Sequence, residues 1–151
     1  PIETPVEVSN AQGAGFPYAV AAQRPLLLAA TGSGVSAVLS AARARVRDGL
    51  GRQTFIAYGV RGTQGIALDI LLGDLAAAGV SITICLTDLA QSALPAGLRY
   101  VEGRVQNVMA ALRLPLAGGV IFVAGHDDFF HDMSRLSTTL AIEPADVYTN
   151  V

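Results

Sequence analysis

The sequence has no lysine and no tryptophan, and Cys85 is its only cysteine. A single thiol cannot close an intrachain disulfide, and it excludes metal sites built on several thiolates. All ten basic residues are arginine, which together with the abundant alanine reads as a bias of genome composition. Charge is scarce as well. Only 15% of residues are charged, the formal net charge is −2 and the pI is near 5.6. Neither nucleic acid nor an anionic membrane surface is therefore expected as a partner. No apolar run reaches the ~18 residues of a spanning helix, and no cationic start leads into an apolar signal region. The expectation is a cytoplasmic protein without a membrane span.

What the chain does have is apolar surface. Hydrophobic residues make up 52% of 151, too many for a disordered segment and enough for one core in one domain. From Pro25 onward, strand and helix signals alternate. Leu26 to Ala30 is an unbroken apolar run, as in a strand buried on both faces. Val35, Val38, Leu39, Ala42, Val46 and Leu50 follow at helical spacing, and Gly49 and Gly51 stop that helix. Thr54 to Tyr58 predicts a strand, Ile66 to Ala78 a helix and Val80 to Leu86 a third strand. Pro95 and Gly97 break the chain before a short strand at Leu98 to Val101. A helix over Val105 to Leu112, a strand from Gly119 to Ala124 and a helix carrying Phe129, Phe130, Met133, Leu136 and Leu140 complete the pattern, with an edge strand at Val147 to Asn150. Such alternation builds right-handed crossovers. The expected fold is a three-layer, Rossmann-like α/β domain with a parallel sheet of about five strands flanked by helices.

The sharpest local signal is Gly32-Ser33-Gly34-Val35-Ser36-Ala37, placed between a buried strand and a helix. It fits the glycine pattern of dinucleotide sites. Gly32 would turn the chain out of the strand, and Gly34 would let the backbone approach a pyrophosphate. Amides at the helix start would meet the phosphate charge, with Ser33 and Ser36 adding hydroxyl donors. A small-residue turn that only packs a helix close to a strand is the competing interpretation.

Four segments then occur in order: Leu28 to Ser36, Ala57-Tyr58-Gly59-Val60-Arg61, Gly103-Arg104-Val105-Gln106 and Val123-Ala124-Gly125. Together they resemble the nicotinamide-nucleotide half of the ferredoxin–NADP reductase superfamily. Val6-Glu7-Val8 through Gly13-Ala14-Gly15-Phe16 looks like the segment that closes that family's flavin barrel. The resemblance implies residues 1–24 as barrel tail and linker, and residues 25–151 as an NAD(P)-binding domain. It implies that Thr31, Gly32, Ser33, Gly34, Val35 and Ser36 cradle the pyrophosphate, that Gly59 and Arg61 lie on the ribose and adenine side, and that Ala124, Gly125 and His126 approach the nicotinamide. It also implies hydride transfer between NAD(P)H and flavin, with electrons passed to an acceptor it does not identify. The family usually carries Cys where Ala124 stands, often Pro where His126 stands, and commonly Pro at Ala37. The flavin barrel itself is not among these residues, so FAD is expected only with a flavin domain supplied in addition. A sensor or scaffold module that binds nucleotide without turnover is the alternative.

The remaining candidates stay open between chemistry and packing. Arg61 reads equally as a phosphate or adenine contact and as an exposed loop charge. Asp88, after the third strand, is suited to a ribose diol, which favours NAD(H) over NADP(H), or to capping a turn. His126-Asp127-Asp128-Phe129-Phe130-His131 contains metal-ligand types, but Asp127 or Asp128 reads better as a helix N-cap, and no metal is expected. Cys85 reads as packing, Tyr148 as edge packing or a ring contact, and Arg43, Arg45 and Arg47 as a solvated helix flank. No catalytic residue is identified.

Overall fold

A computed structural model describes residues 15–62, 69–88 and 98–150. The strand expected at Pro5 to Val8 and the first turn of the helix expected from Ile66 lie outside the described residues. Six strands are present: β1 (Leu26–Thr31), β2 (Thr54–Val60), β3 (Ser81–Leu86), β4 (Arg99–Glu102), β5 (Val120–Ala124) and β6 (Val147–Thr149). They form one sheet in the order β4-β3-β2-β1-β5-β6, and every pairing is parallel. The sheet has six strands where about five were expected, and the edge strand expected at Val147 to Asn150 is β6, which pairs with β5 through Ile121–Val147 to Val123–Thr149.

Helices α1 (Val35–Arg47) and α2 (Asp69–Ala77) cover one face, and α3 (Val105–Ala111) and α4 (Asp127–Ser137) cover the other. This explains the unbroken apolar run of β1. Leu26, Leu28 and Ala30 pack with α1, while Leu27 and Ala29 point into the opposite core. A strand with both faces covered has no position left for a polar side chain. The chain runs outward from β1 to β4 and then returns to β5 on the far side of β1. That reversal makes the β1/β5 boundary a topological switch point, where open α/β sheets leave a crevice at the strands' carboxyl ends.

Two helix endings follow from glycine. Gly49 adopts φ +74°, and Leu50 N–H reaches back to the Arg45 carbonyl at 2.8 Å. Gly79, at φ +93°, does the same after α2, with Val80 N–H on the Leu75 carbonyl at 3.0 Å. Both close with the left-handed residue and the long back-bond of a Schellman ending.

Arg45 departs from the sequence expectation. Arg43 and Arg47 are exposed, as a solvated flank requires, but Arg45 is fully buried. Its guanidinium donates to the carbonyls of Ala21 (2.8 Å), Ala22 (3.0 Å) and Arg24 (2.8 Å), and to Thr54 Oγ1 at 3.1 Å. Burial lowers its pKa from the ordinary arginine value. These bonds seat the segment before β1 on the domain. Arg24 continues the attachment with a bidentate ion pair to Asp146 and bonds to the Gly118 (2.8 Å) and Gly119 (3.0 Å) carbonyls. Upstream, Phe16 stacks on Phe122 with ring centroids 4.7 Å apart and planes 3° from parallel. Tyr148 meets the same Phe122 edge-on at 6.1 Å, so the aromatic ring of β6 serves packing.

Candidate functional site

At the end of β1 the chain enters a single 3-10 turn, Gly32–Gly34, which runs straight into α1. Gly32 has φ +52° and open space where a Cβ would stand. The sharp exit expected of Gly32 is present. Gly34 has a different reason for being glycine. A Cβ there would lie 2.4 Å from the Ala124 carbonyl oxygen and 2.8 Å from its carbon. The bare backbone lets the start of α1 touch the end of β5, so the residue is required by packing, whatever it does for a ligand. The packing interpretation of this small-residue turn thus holds at Gly34, so a side chain there would disturb the fold as well as any ligand.

Other members of the turn are also engaged internally. Val35 is buried in the core, and its N–H is taken by the Gly32 and Ser33 carbonyls. Ser36 donates its hydroxyl to the Ser33 carbonyl at 2.9 Å, which removes that proton from the expected phosphate donors. Ser33 is exposed and faces a cleft of about 520 Å³ together with Thr31, Gly32, Gly34, Ala124, Gly125, His126 and Asn150. Residues placed apart in the sequence thus meet where β1 and β5 end.

A second, larger cleft of about 680 Å³ adjoins it through Thr31, Gly32 and His126. It runs along the carboxyl edge of the sheet. Gly59, Val60 and Arg61 close β2, Cys85 and Thr87 mark β3, and Gly103 to Gln106 follow β4. Asp128, Phe129 and Asp132 of α4 form the facing wall. Gly59 is again a close approach, since a Cβ would sit 2.8 Å from Val105 Cγ2 and 3.3 Å from Thr31 Cγ2. Arg61 is exposed and lines the cleft. Asp88, exposed at the end of β3, does not line it, although Thr87 beside it donates to the Arg61 carbonyl at 3.4 Å. The residues that follow, 89–97, lie outside the described residues.

The helix cap after β5 is His126, not Asp127 or Asp128. Its Nδ1 accepts the Phe129 N–H at 3.2 Å, and the two aspartates occupy the first turn, where they suit the helix dipole. Accepting at Nδ1 places the proton of the neutral ring on Nε2. Gly125 is held tightly, because a Cβ would meet Thr31 Oγ1 at 2.6 Å and Phe129 Cδ1 at 2.9 Å. Among the described residues no group of three His, Cys, Asp or Glu stands close enough to hold a metal ion, and no helix is long and apolar enough to cross a membrane. Cys85 borders the cleft but is fully buried, and burial pushes its thiol pKa up to about 12. Such a thiol is no nucleophile.

Sequence reasoning missed Arg104, Gln106, Thr87 and Asp132 as cleft residues. The first three follow strand ends at the sheet's carboxyl edge, which was the usable signal. Asp132 gave none, since it reaches the cleft from the second turn of α4 and accepts from Gln106 Nε2 at 2.9 Å.

A family model described as the oxidoreductase NAD-binding domain matches residues 28–135. The sequence has no significant match among curated proteins. Solved structures with the same fold include a cytochrome P450 reductase from Amycolatopsis (GcoB), at 17% identity and a TM-score of 0.70 over 89% of this chain and 39% of that one. Another is the flavohem-like FAD/NAD-binding domain of nitric oxide dioxygenase from Vibrio cholerae, at 17% identity and 0.66 over 84% of this chain and 50% of that one. This chain thus spans half or less of the length of either structure.

Proposed function

Because the chain belongs to the family of oxidoreductase NAD-binding domains, we propose that it is the nicotinamide-nucleotide-binding part of a flavin-dependent NAD(P)H oxidoreductase. One observation carries the proposal. The Gly32 turn, at φ +52°, opens at the β1/β5 switch point onto both clefts, with no side chain between backbone and solvent. The residues present fit a dinucleotide. Thr31, Gly32, Ser33 and Gly34 would hold the pyrophosphate, Gly59 and Arg61 the adenosine side, and Ala124, Gly125 and His126 the nicotinamide side. When bound, the reduced nicotinamide supplies a hydride. The chain's own residues bind and orient. The tight packing of Gly34 on Ala124 and of Gly125 on Thr31 and Phe129 fixes the two loops that flank the site.

A flavin domain, either in the same polypeptide or as a partner protein, would receive the hydride, and FAD belongs to the assembly only with that domain. NAD(H) is the proposed coenzyme: Asp88, just outside the cleft lining beside Thr87, would repel a ribose phosphate from the rim, and Arg61 on the cleft is the opposing cation.

Calorimetric titration with NADH tests the binding role, using Ser33→Glu as the variant. Ser33 is exposed, so the added carboxylate leaves the fold alone and repels a phosphate at the turn. Affinity is expected to fall at least about tenfold with an unchanged melt. A wild-type chain that does not bind NADH refutes the proposal. NADH-dependent bleaching of flavin in the full-length gene product separates an oxidoreductase from a nucleotide-sensing or scaffolding module.

A further inference from the structure

The larger cleft crosses the ends of five strands, from His126 after β5 to Arg104 after β4. Neighbouring strands lie about 4.8 Å apart, so this edge measures roughly 19 Å, a length suited to an elongated ligand. If the phosphates sit at the Gly32 turn, the nucleotide half directed outward passes Arg61 at β2 and ends over β3 and β4. Arg104 stands at that far end. It is exposed and held in extended conformation (φ −78°, ψ 150°) after Gly103, whose amide is tied to the Leu86 carbonyl at 2.8 Å. Its side chain has no hydrogen bond or ion pair among the described residues. The other planar polar group at this end, the Gln106 amide, is committed to Asp132. Among the described residues no aromatic ring lines the outer strand ends, since Phe129 belongs to the α4 wall.

We infer that Arg104 receives the base of the nucleotide, its guanidinium plane lying against the purine. The inference rests on the nucleotide-binding proposal and adds a residue and a contact to it. A guanidinium is flat, weakly hydrated and stacks on π-faces, whereas a lysine ammonium is a compact, strongly hydrated charge. Stacking tolerates any purine, so this end of the cleft selects for a flat ring rather than for a hydrogen-bonding pattern.

The test is a set of titrations of the chain with NADH and with ADP-ribose, which share the adenosine half. Arg104→Ala is expected to weaken both ligands by roughly tenfold and equally, with the difference persisting at high salt because a stacked contact is poorly screened. Arg104→Tyr restores most of the affinity and Arg104→Lys does not. Full affinity in Arg104→Lys with loss in Arg104→Tyr overturns the inference in favour of a simple charge contact, and so does an unaffected Arg104→Ala. If the wild-type chain binds neither ligand, it is the nucleotide proposal that fails. Melting curves of all three variants are expected to overlay the wild type, because Arg104 is exposed.

Discussion

Gly34 lies against Ala124: a Cβ on Gly34 would stand 2.4 Å from the Ala124 carbonyl oxygen and 3.2 Å from the Ala124 Cβ. The nearest obstacle is main chain at the end of β5, a strand paired on both sides by β1 and β6, so it cannot swing aside. Gly34→Ala is expected to destabilise the fold by about 1–3 kcal/mol and to lower the melting midpoint by roughly 3–10 °C. A thermal melt checks this, and an unchanged midpoint would show that the two loops separate at no cost.

Arg45 provides a second stability test. Replacing it with Met keeps much of the volume but removes the guanidinium from the Ala21, Ala22 and Arg24 carbonyls. A loss of about 2–4 kcal/mol is expected in urea unfolding. Arg45→Lys should recover only part of it, because an ammonium cannot reach three carbonyls and Thr54 with a planar fork. Full recovery by lysine would show that charge alone is enough.

The proposed coenzyme preference rests on two charges that follow adjacent strands. Wild-type protein is expected to bind NADH more tightly than NADPH by about tenfold to a hundredfold. Asp88→Ala should narrow that gap and Arg61→Ala should widen it. Titration with both nucleotides at low salt decides, and equal or tighter NADPH binding removes the proposed role of Asp88.

Acid sensitivity follows from Arg24 and Asp146. Their bidentate pair holds the Asp146 carboxyl below the ordinary carboxylate value, despite the opposing effect of burial. A depressed carboxyl stabilises the fold above its unfolded pKa, near about 4, and that contribution fades as pH falls through the folded value. Asp146→Asn should therefore lower the melting midpoint at neutral pH and make it fall less steeply below about pH 4. Parallel curves for the two proteins across that range would contradict the assignment.

The sequence was most legible where one residue's surroundings come from its own neighbourhood. The apolar run of β1, the helical spacing of α1 and the stop at Gly49 all act over a few residues, and each is found where it was expected. Gly32 belongs with them, because its positive φ answers a local turn. Gly34 does not, since its constraint comes from Ala124 across the sheet. Arg45 looked like its neighbours Arg43 and Arg47, and only the carbonyls of Ala21, Ala22 and Arg24 set it apart. The cap was assigned to an aspartate by residue type, whereas the backbone placed His126 at the position from which a side chain reaches Phe129 N–H. For the cleft, strand ends were readable but the contribution of α4 was not, because Asp132 is positioned by helix packing.

The strand order also has a consequence for the chain during its synthesis. β1 lies between β2 and β5, and its partner residues on β5, Leu26 with Val120 to Ala30 with Ala124, are roughly ninety residues downstream. At ribosomal speeds of about 5–20 residues per second, one edge of this apolar strand waits on the order of 5–20 s for its neighbour. Through that interval Leu26 to Ala30 offers unpaired amides and carbonyls to any other strand, which is the condition for aggregation. Nascent chains stalled before Val120 should therefore depend on chaperones, and that dependence should end once β5 has emerged.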